Sequence, residues 1–356
     1  MRTQDSAPPL RLGVLFGDPR LPYAYGPYGR IGPEELQAAG RAREALAALP
    51  GVRVRSFDDH RRLIDELRAD PPDLALNLCD NGYRNHLELE PNIPALLEML
   101  AIPYTGAGMS AMCLSRDKAA VRALAASVGV AVPEEVVVDL RSPVRALPER
   151  YPAVIKPNDG CGSMGMEPDC VVHNGHEARA YLARLAAASG GRSPWVLVQE
   201  FLPGTEYTIG LIGNPAQGIT AFPPLAIDYT SLDPALPPIL SYGSKIDPAS
   251  PYYQALRFAP AELTEDRRAG MVAASTRLFA RLGGRDYARV DFREDAHGVP
   301  RLLDFNTQPS WSHDGKLAIM AGHAGYSYAG LLQAIVEAAV ERYAAAGQVI
   351  GGRVEG

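Results

Sequence analysis

The chain is poor in the residues that build zinc and redox sites. Its 356 residues include four cysteines, Cys79, Cys113, Cys161 and Cys170, and no two stand in C-x-x-C spacing, so a zinc or dithiol centre is not expected. Scattered thiols of this kind fit a reduced, cytoplasmic setting. No apolar run approaches the ~20 residues that span a bilayer. The opening MRTQDSAPPLRLGVLFG lacks the hydrophobic stretch of a signal peptide, so neither secretion nor a membrane partner is expected. No block of Lys or Arg stands out and the net charge is −6, which argues against a nucleic-acid partner held through phosphate contacts. Internal repeats and low-complexity tracts are missing as well. What is present is globular material: 47% hydrophobic residues, enough for roughly two or three cored units at the usual domain size.

Strands and helices alternate at the start. Residues 12–16, 52–57 and 74–78 are short apolar runs that read as strands. Residues 33–49, with Pro33 in the first turn, read as a helix, as do 59–69 and 94–100, and 102–104 is a short strand. This order predicts a parallel sheet covered on both faces, an α/β unit over residues 10–115 behind a frayed tail of residues 1–9. The loop after the first strand, DPRLPYAYGPYGRIGPEEL, lies at the carboxyl end of a parallel strand, where open α/β sheets bind ligands. Tyr23, Tyr25, Tyr28 and Arg30 can shape a pocket there. Asp80, His86 and Glu88, in NLCDNGYRNHLELE, open toward the same edge, although each alone is an ordinary surface residue.

Residues 115–127, SRDKAAVRALAAS, read as a helix capped by Ser115 with Lys118 in its first turn. A lysine there opposes the helix dipole, which gives an anionic partner some weight. Residues 151–166, YPAVIKPNDGCGSMGM, read as a strand ending in Lys156 and a loop with Gly160, Gly162, Ser163 and Gly165. Glycines let backbone N–H groups approach phosphate oxygens, and a strand-end lysine carries the opposite charge. The lysine precedes the glycines, so this is not a G-x-x-x-x-G-K-[ST] loop. Residues 195–212 read as two strands joined by LPGTE. At that join Gln199, Glu200, Phe201 and Leu202 can receive an adenine edge, with Glu206 facing ribose hydroxyls. A strand at 219–227 and a helix at 262–283 follow. The last helix spans 325–345, and Trp311, His313 and Lys316 fall in the loop before it.

The most informative stretch is DYARVDFREDAHGVPRLLDFNTQPS, residues 286–310. Two alternating runs flank the polar turn EDAHG, as in paired strands. Paired this way, Asp291, Asp304 and Asn306 project into one site. Oxygen ligands suit Mg²⁺, with Mn²⁺ as a substitute, because magnesium takes a few carboxylates and completes its shell with phosphate oxygens. Arg289 stands two residues before Asp291 and therefore on the same side of the strand, a cation for an anion that forms during reaction. In isolation the pattern is also that of a solvated hairpin.

Taken in order, SRDK, VIKP with its glycine loop, VQEFLPGTE and RVDF…LLDFNTQP resemble the ATP-grasp superfamily. PYTGAG-x-x-A-x-x-L-S-x-DK at residues 103–118 is most similar to the D-alanine–D-alanine ligases, and the resemblance covers residues 10–345. It implies an α/β and α+β architecture: an N-terminal parallel-sheet domain, a central lid subdomain over 116–203, a catalytic subdomain over 204–346 and a tail over 347–356. The two subdomains would clamp ATP. Lys118 and Lys156 would meet its phosphates under a closing loop at Ser163. Gln199, Glu200, Phe201 and Leu202 would meet adenine, Glu206 the ribose and Lys245 the γ-phosphate. Asp291, Asp304 and Asn306 would hold magnesium, and Arg289 would stabilise a tetrahedral intermediate. The partners implied are a small carboxylate and a small amine, in a homodimeric enzyme.

Several positions depart from that family. Asp304 stands where glutamate is usual, Gly162 where the family has a serine, and Ile246 where a tyrosine follows Lys245. The first loop lacks an E-R-x-V-S stretch, NLCDNG replaces a His-Gly, and Pro309-Ser310-Trp311-Ser312 replaces P-G-M-T. Gly315, followed by Lys316, stands where a serine meets the second substrate. The expectation is an ATP-dependent carboxylate–amine ligase with a rebuilt substrate pair, joining amino acids or an amino acid and another amine in specialised metabolism. Tyr25, Asp80, Ser310, His313 and Lys316 are the candidate substrate residues. The alternatives are a D-alanine–D-alanine ligase of cell-wall synthesis, a non-catalytic nucleotide-binding module, and a phosphotransferase with a stable phosphate product.

Overall fold

The computed structural model describes residues 8–159, 166–188, 194–247 and 249–351. β1 (Leu10–Leu15), α1 (Pro33–Ala47), β2 (Val52–Phe57), α2 (Leu63–Ala69), β3 (Leu74–Asn77) and α3 (Asn92–Met99) open the chain. The strands form a parallel sheet in the order β2-β1-β3. Pro33 and the acidic Glu34 and Glu35 suit the first turn of α1, where backbone N–H groups lack partners and the dipole is positive. Leu12 and Val14 pack toward α1, and Leu15 packs with Phe57, Leu63 and Leu67 on the other face. Both faces of this sheet are covered, as the alternating pattern predicts.

The helix expected over 115–127 is two helices, α4 (Met109–Arg116) and α5 (Lys118–Ser127). Asp117 between them is extended, at φ −91 and ψ 98, and its carboxylate accepts from the Ala120 N–H at 2.9 Å. Asp117 is therefore the cap. Ser115 lies in the last turn of α4 and donates to the Met112 carbonyl. The break makes Lys118 the first residue of α5.

β4 (Glu135–Asp139), β5 (Ala153–Pro157), β6 (Val171–Val172), α6 (Gly175–Ala188) and β7 (Trp195–Glu200) follow. The strands pair antiparallel in the order β4-β7-β5-β6. The next strand, β8 (Glu206–Asn214), belongs to a different sheet, so LPGTE crosses between sheets instead of closing a hairpin. After it come β9 (Gly218–Ala221), β10 (Leu225–Asp228), α7 (Gly243–Ile246), α8 (Pro251–Ala255), β11 (Arg257–Pro260) and α9 (Glu265–Arg281). The single strand expected at 219–227 is split because Pro223 and Pro224 cannot donate to a ladder. β12 (Asp286–Glu294) and β13 (Pro300–Asn306) form the expected antiparallel hairpin. β8 lies between β12 on one side and β10 and β9 on the other.

α10 (Lys316–His323) and α11 (Tyr328–Ala345) complete the fold, so Lys316 opens a helix where a loop was expected. Gly210 on β8 lets α10 lie close, since a Cβ there would stand 2.7 Å from Leu317 Cδ1. Leu331, Leu332, Ile335 and Ala339 of α11 share one core with Leu12, Val14 and Leu76 of the first sheet. The end of the chain thus closes its beginning. Among the described residues no helix is long and apolar enough to cross a membrane.

Asp286 ties these parts together. It is fully buried, in the left-handed region at φ 65. Its carboxylate accepts from Arg342 Nε at 2.9 Å and Nη2 at 2.7 Å, from Asn214 Nδ2 at 3.1 Å and from the Gly106 N–H at 2.9 Å. Removing one partner of a buried ion pair typically costs about 3–5 kcal/mol. Asp286→Ala is expected to lower the urea-unfolding free energy by about that amount. Asp286→Asn should lose less, because asparagine tolerates the left-handed region and keeps an acceptor oxygen.

Candidate active site

An open cleft of about 890 Å³, counting the solvent in its mouth, separates the sheet of β4–β7 from the sheet of β8–β13. One wall carries Lys156, Gln199, Glu200, Phe201 and Leu202, with Lys118 at the start of α5. The facing wall carries Glu206, Arg289, Asp291, Arg293, Asp304 and Asn306, with Lys316 from α10. Residues nearly two hundred positions apart meet here.

Asn158 seats the two lysines. Its carbonyl accepts from the Lys118 N–H at 3.1 Å, its Oδ1 from the Ala119 N–H at 2.9 Å, and its Nδ2 donates to Asp117 at 3.0 Å. This binds the start of α5 to the end of β5, where Lys156 stands. Lys156 Nζ donates to Gln199 Oε1 at 3.0 Å, and Gln199 Nε2 donates to Glu135 at 2.9 Å. Glu135 also takes Arg122 Nε at 2.7 Å. Gln199 is 2% exposed and both ends of its side-chain amide are engaged, which holds Lys156 in place and leaves the backbone of this segment to face the cleft. Desolvation, reinforced by the charges of Arg122 and Lys118, pushes Lys156 down to about 7.

The other end of the cleft is equally ordered. The Glu200 carboxylate accepts from the Glu134 N–H at 2.9 Å. Glu206 accepts from the Tyr229 hydroxyl at 2.8 Å and lies 3.5 Å from Arg293 Nη1. Arg293 stacks over Phe201 and Tyr229, at 5.1 and 5.3 Å from the ring centres. Arg293 was missed in the sequence. The same strand periodicity that singled out Arg289 and Asp291 continues to it.

On the hairpin, Arg289 faces Asn306 and Asp291 faces Asp304, with a bulge after Asp291. The Arg289 guanidinium forks onto Asp291, Nε to Oδ1 at 3.0 Å and Nη2 to Oδ2 at 2.9 Å. Thr208 donates to Oδ1 at 2.6 Å and Asn306 Nδ2 to Oδ2 at 3.3 Å. Four donors meet the four lone-pair positions of one carboxylate. Burial alone would raise Asp291, but the charges of Arg289 and Lys316 outweigh it and hold the carboxyl well below the usual range. Among the described residues no three His, Cys, Asp or Glu side chains converge as a metal site. The set on offer is two carboxylates and an amide. Such hard oxygens, with positions left for phosphate oxygens, fit magnesium better than zinc.

A second cavity of about 390 Å³ adjoins the first and shares Lys118, Asp304 and Asn306. Glu90, Arg116 and Gln308 bound it. Desolvation pushes the Glu90 carboxyl up to about 8, although Arg116 lies 3.5 Å away. The Glu90–Arg116 pair carried no sequence signal that set it apart from surface charges.

Most of the candidate substrate residues lie elsewhere. Tyr28 is wholly exposed, and His86 pairs with Glu88 at 3.3 Å on the surface, and none of the three lines either of these two cavities. The Tyr25 carbonyl accepts from the Tyr242 hydroxyl at 3.4 Å. Asp80 is enclosed near Glu35 and Trp311, and desolvation with the charge of Glu35 pushes it up to about 7. His313 lies edge-on to Tyr328, 6.2 Å between ring centres. Ser310 is exposed beside Gly315. Of these candidates Lys316 alone lines the cleft. Lys245 belongs to α7, and its side chain, like Ser163, lies outside the described residues.

A sequence model of the family described as D-ala D-ala ligase C-terminus matches residues 141–337. A D-alanine–D-alanine ligase of Gluconobacter oxydans is 30% identical over 306 residues, spanning 83% of this chain and 93% of that protein. Among solved structures, the D-alanine–D-alanine ligase of Bacillus anthracis complexed with ATP aligns with a TM-score of 0.68 at 20% identity, covering 95% of this chain and all (100%) of that one. The VanG D-Ala:D-Ser ligase of Enterococcus faecalis aligns at 0.67 and 16% identity, covering 93% and 100%. These structural likenesses are likenesses of fold.

Lys156 sets a pH dependence. With its folded value lowered to about 7, the unfolded chain holds one more proton than the folded chain between that pH and its ordinary value near 10.4. Stability from this group therefore rises with pH across that window and is lost as pH falls toward 7. Urea unfolding of the ligand-free protein from pH 7 to 9.5 is expected to show this rise, and Lys156→Met is expected to flatten it.

Proposed function

Because the chain belongs to the D-alanine–D-alanine ligase family and has the ATP-grasp fold, we propose that it is an ATP-dependent carboxylate–amine ligase. The observation that carries this reading is the meeting, across one cleft, of Lys118 and Lys156 with Asp291, Asp304 and Asn306. A carboxylate is a poor electrophile. Transfer of the γ-phosphoryl group to one of its oxygens makes an acylphosphate and ADP. Amine attack then forms the C–N bond, phosphate leaves with the C–O electrons, and the amine loses a proton.

In this reading the lysines lie along the nucleotide phosphates, Phe201 and Leu202 flank the base, and Glu206 meets the ribose. Asp291, Asp304 and Asn306 hold magnesium, which neutralises charge on the transferring phosphoryl group. Lys245 and Ser163 are assigned to the γ-phosphate and the closing loop. Arg289 meets the oxyanion formed on amine attack. Its fork occupies both oxygens of Asp291 in the described state. Arg289 would leave this fork to reach the substrate, which would free the Asp291 oxygens to hold a cation.

The substrate pair is two small molecules in the cytoplasm, amino acids or an amino acid and another amine, different from D-alanine with D-alanine. The rebuilt positions support this: Gly315 has no room for a side chain without crowding Ser310 Oγ and the Ser312 carbonyl, each 3.1 Å from a Cβ there. The names of the relatives favour a second reading, a D-alanine–D-alanine ligase. Magnesium-dependent phosphate release, assayed over a panel of amino acids, separates the two. Turnover is expected with a pair other than D-alanine alone, and chelation of magnesium should abolish it. Strong activity with D-alanine only would establish the second reading. Arg289→Ala is expected to retain ATP binding, by calorimetry, while turnover falls by about 10²–10³.

A further inference from the structure

Among the described residues, the cations of the hairpin wall divide into two kinds. Arg289 is committed to Asp291 at 2.9 Å and Arg293 to Glu206 at 3.5 Å. Lys316 lines the same cleft, yet no hydrogen bond or carboxylate within 4 Å engages its ammonium among the described residues. Its place is also built. It is the first residue of α10, and its Nζ stands 5.2 Å above the ring of Phe258 on β11. A cation–π contact of this kind steadies an ammonium without satisfying its hydrogen bonds. Gly315 supplies no side chain to cap α10, so the positive end of the helix opens at the same point.

Its surroundings locate the charge it awaits. The groups acting on Lys316 are Asp291, Arg289, Glu206 and Asp304. Those acting on Lys156 are Arg122, Lys118, Asp304 and Glu135. Asp304 acts on both lysines, and the two line the same cleft from its two walls. A surface lysine would be solvated, and a structural one would be paired. Lys316 is half-buried and, among the described residues, its ammonium has no hydrogen-bond partner, a cost that an incoming anion removes.

We infer that Lys316 binds the oxygens of the terminal phosphoryl group, opposite Lys118 and Lys156, and stays with that group as it is transferred. This rests on the nucleotide reading given above and adds to it a cation that Lys118, Lys156, Lys245 and Arg289 do not account for. Phosphoryl transfer spreads charge over the three equatorial oxygens, so cations on both walls act together where one wall cannot reach all three.

The test compares Mg·ADP with Mg·AMP-PNP by isothermal titration on the full-length protein, as wild type, Lys316→Met and Lys316→Arg. Losing a charge-assisted hydrogen bond corresponds to about 10- to 100-fold in affinity. Lys316→Met is expected to weaken AMP-PNP by that factor and leave ADP unchanged, and Lys316→Arg to recover most of the difference. Unchanged ADP binding also shows that the variant is folded. Equal weakening of both nucleotides, or no change in either, would overturn the assignment while leaving the ligase reading in place. A wild-type protein that bound neither nucleotide would sink the ligase reading, and this assignment with it.

Discussion

Asp291 is the point about which the charges of the cleft balance. Antiparallel pairing sets its carboxylate directly across from that of Asp304, an arrangement that repels unless something intervenes. The Arg289 fork, the Thr208 hydroxyl and the Asn306 amide supply what is needed. Each of these groups is placed by a different strand position, so the site depends on the register of β8, β12 and β13. A slip of one residue would send Arg289 and Asp291 to the other face together.

β12 carries this site at its centre and the main structural anchor at its start. Asp286, five residues before Asp291, holds α11 through Arg342, β8 through Asn214 and the segment after β3 through Gly106. α11 in turn fills the face of the first sheet. The cleft wall on the β12 side is therefore braced by contacts between residues far apart in the sequence. The facing wall is seated locally, through Asn158 and the Lys156–Gln199–Glu135–Arg122 series. In that series a glutamine orients a lysine, and an arginine–glutamate pair orients the glutamine.

The smaller cavity has another electrostatic character. Glu90 and Asp80, both pushed up by desolvation to about 8 and about 7, stand on the side of the first sheet. Only Asp304, Asn306 and Lys118 border both spaces. The smaller space thus holds an acid beside Arg116 and Lys118, and it meets the larger one at the hairpin.

The sequence alone determined the local units and the chemistry each can carry. Period-two alternation marked the hairpin, residue spacing put Arg289 and Asp291 on one side, and Lys156 and Lys118 stood out at a strand end and in a first helical turn. The paired prolines at 223 and 224 were a legible break that the reading passed over. Asp117 was as plain a cap as Ser115, but only the extended backbone showed which one the helix uses. Tertiary structure decided the rest. The Gln199 side chain joins Lys156 to Glu135 because those two lie on the strands either side of it. Tyr28, His86 and Glu88 went to solvent and Asp80 inward, and Lys316 reached the cleft because Gly210 lets α10 settle on β8. Periodicity and capping are properties of adjacent residues and can be read along the chain. Which distant side chains share a hydrogen bond is fixed by how sheets and helices pack, and no local pattern records that.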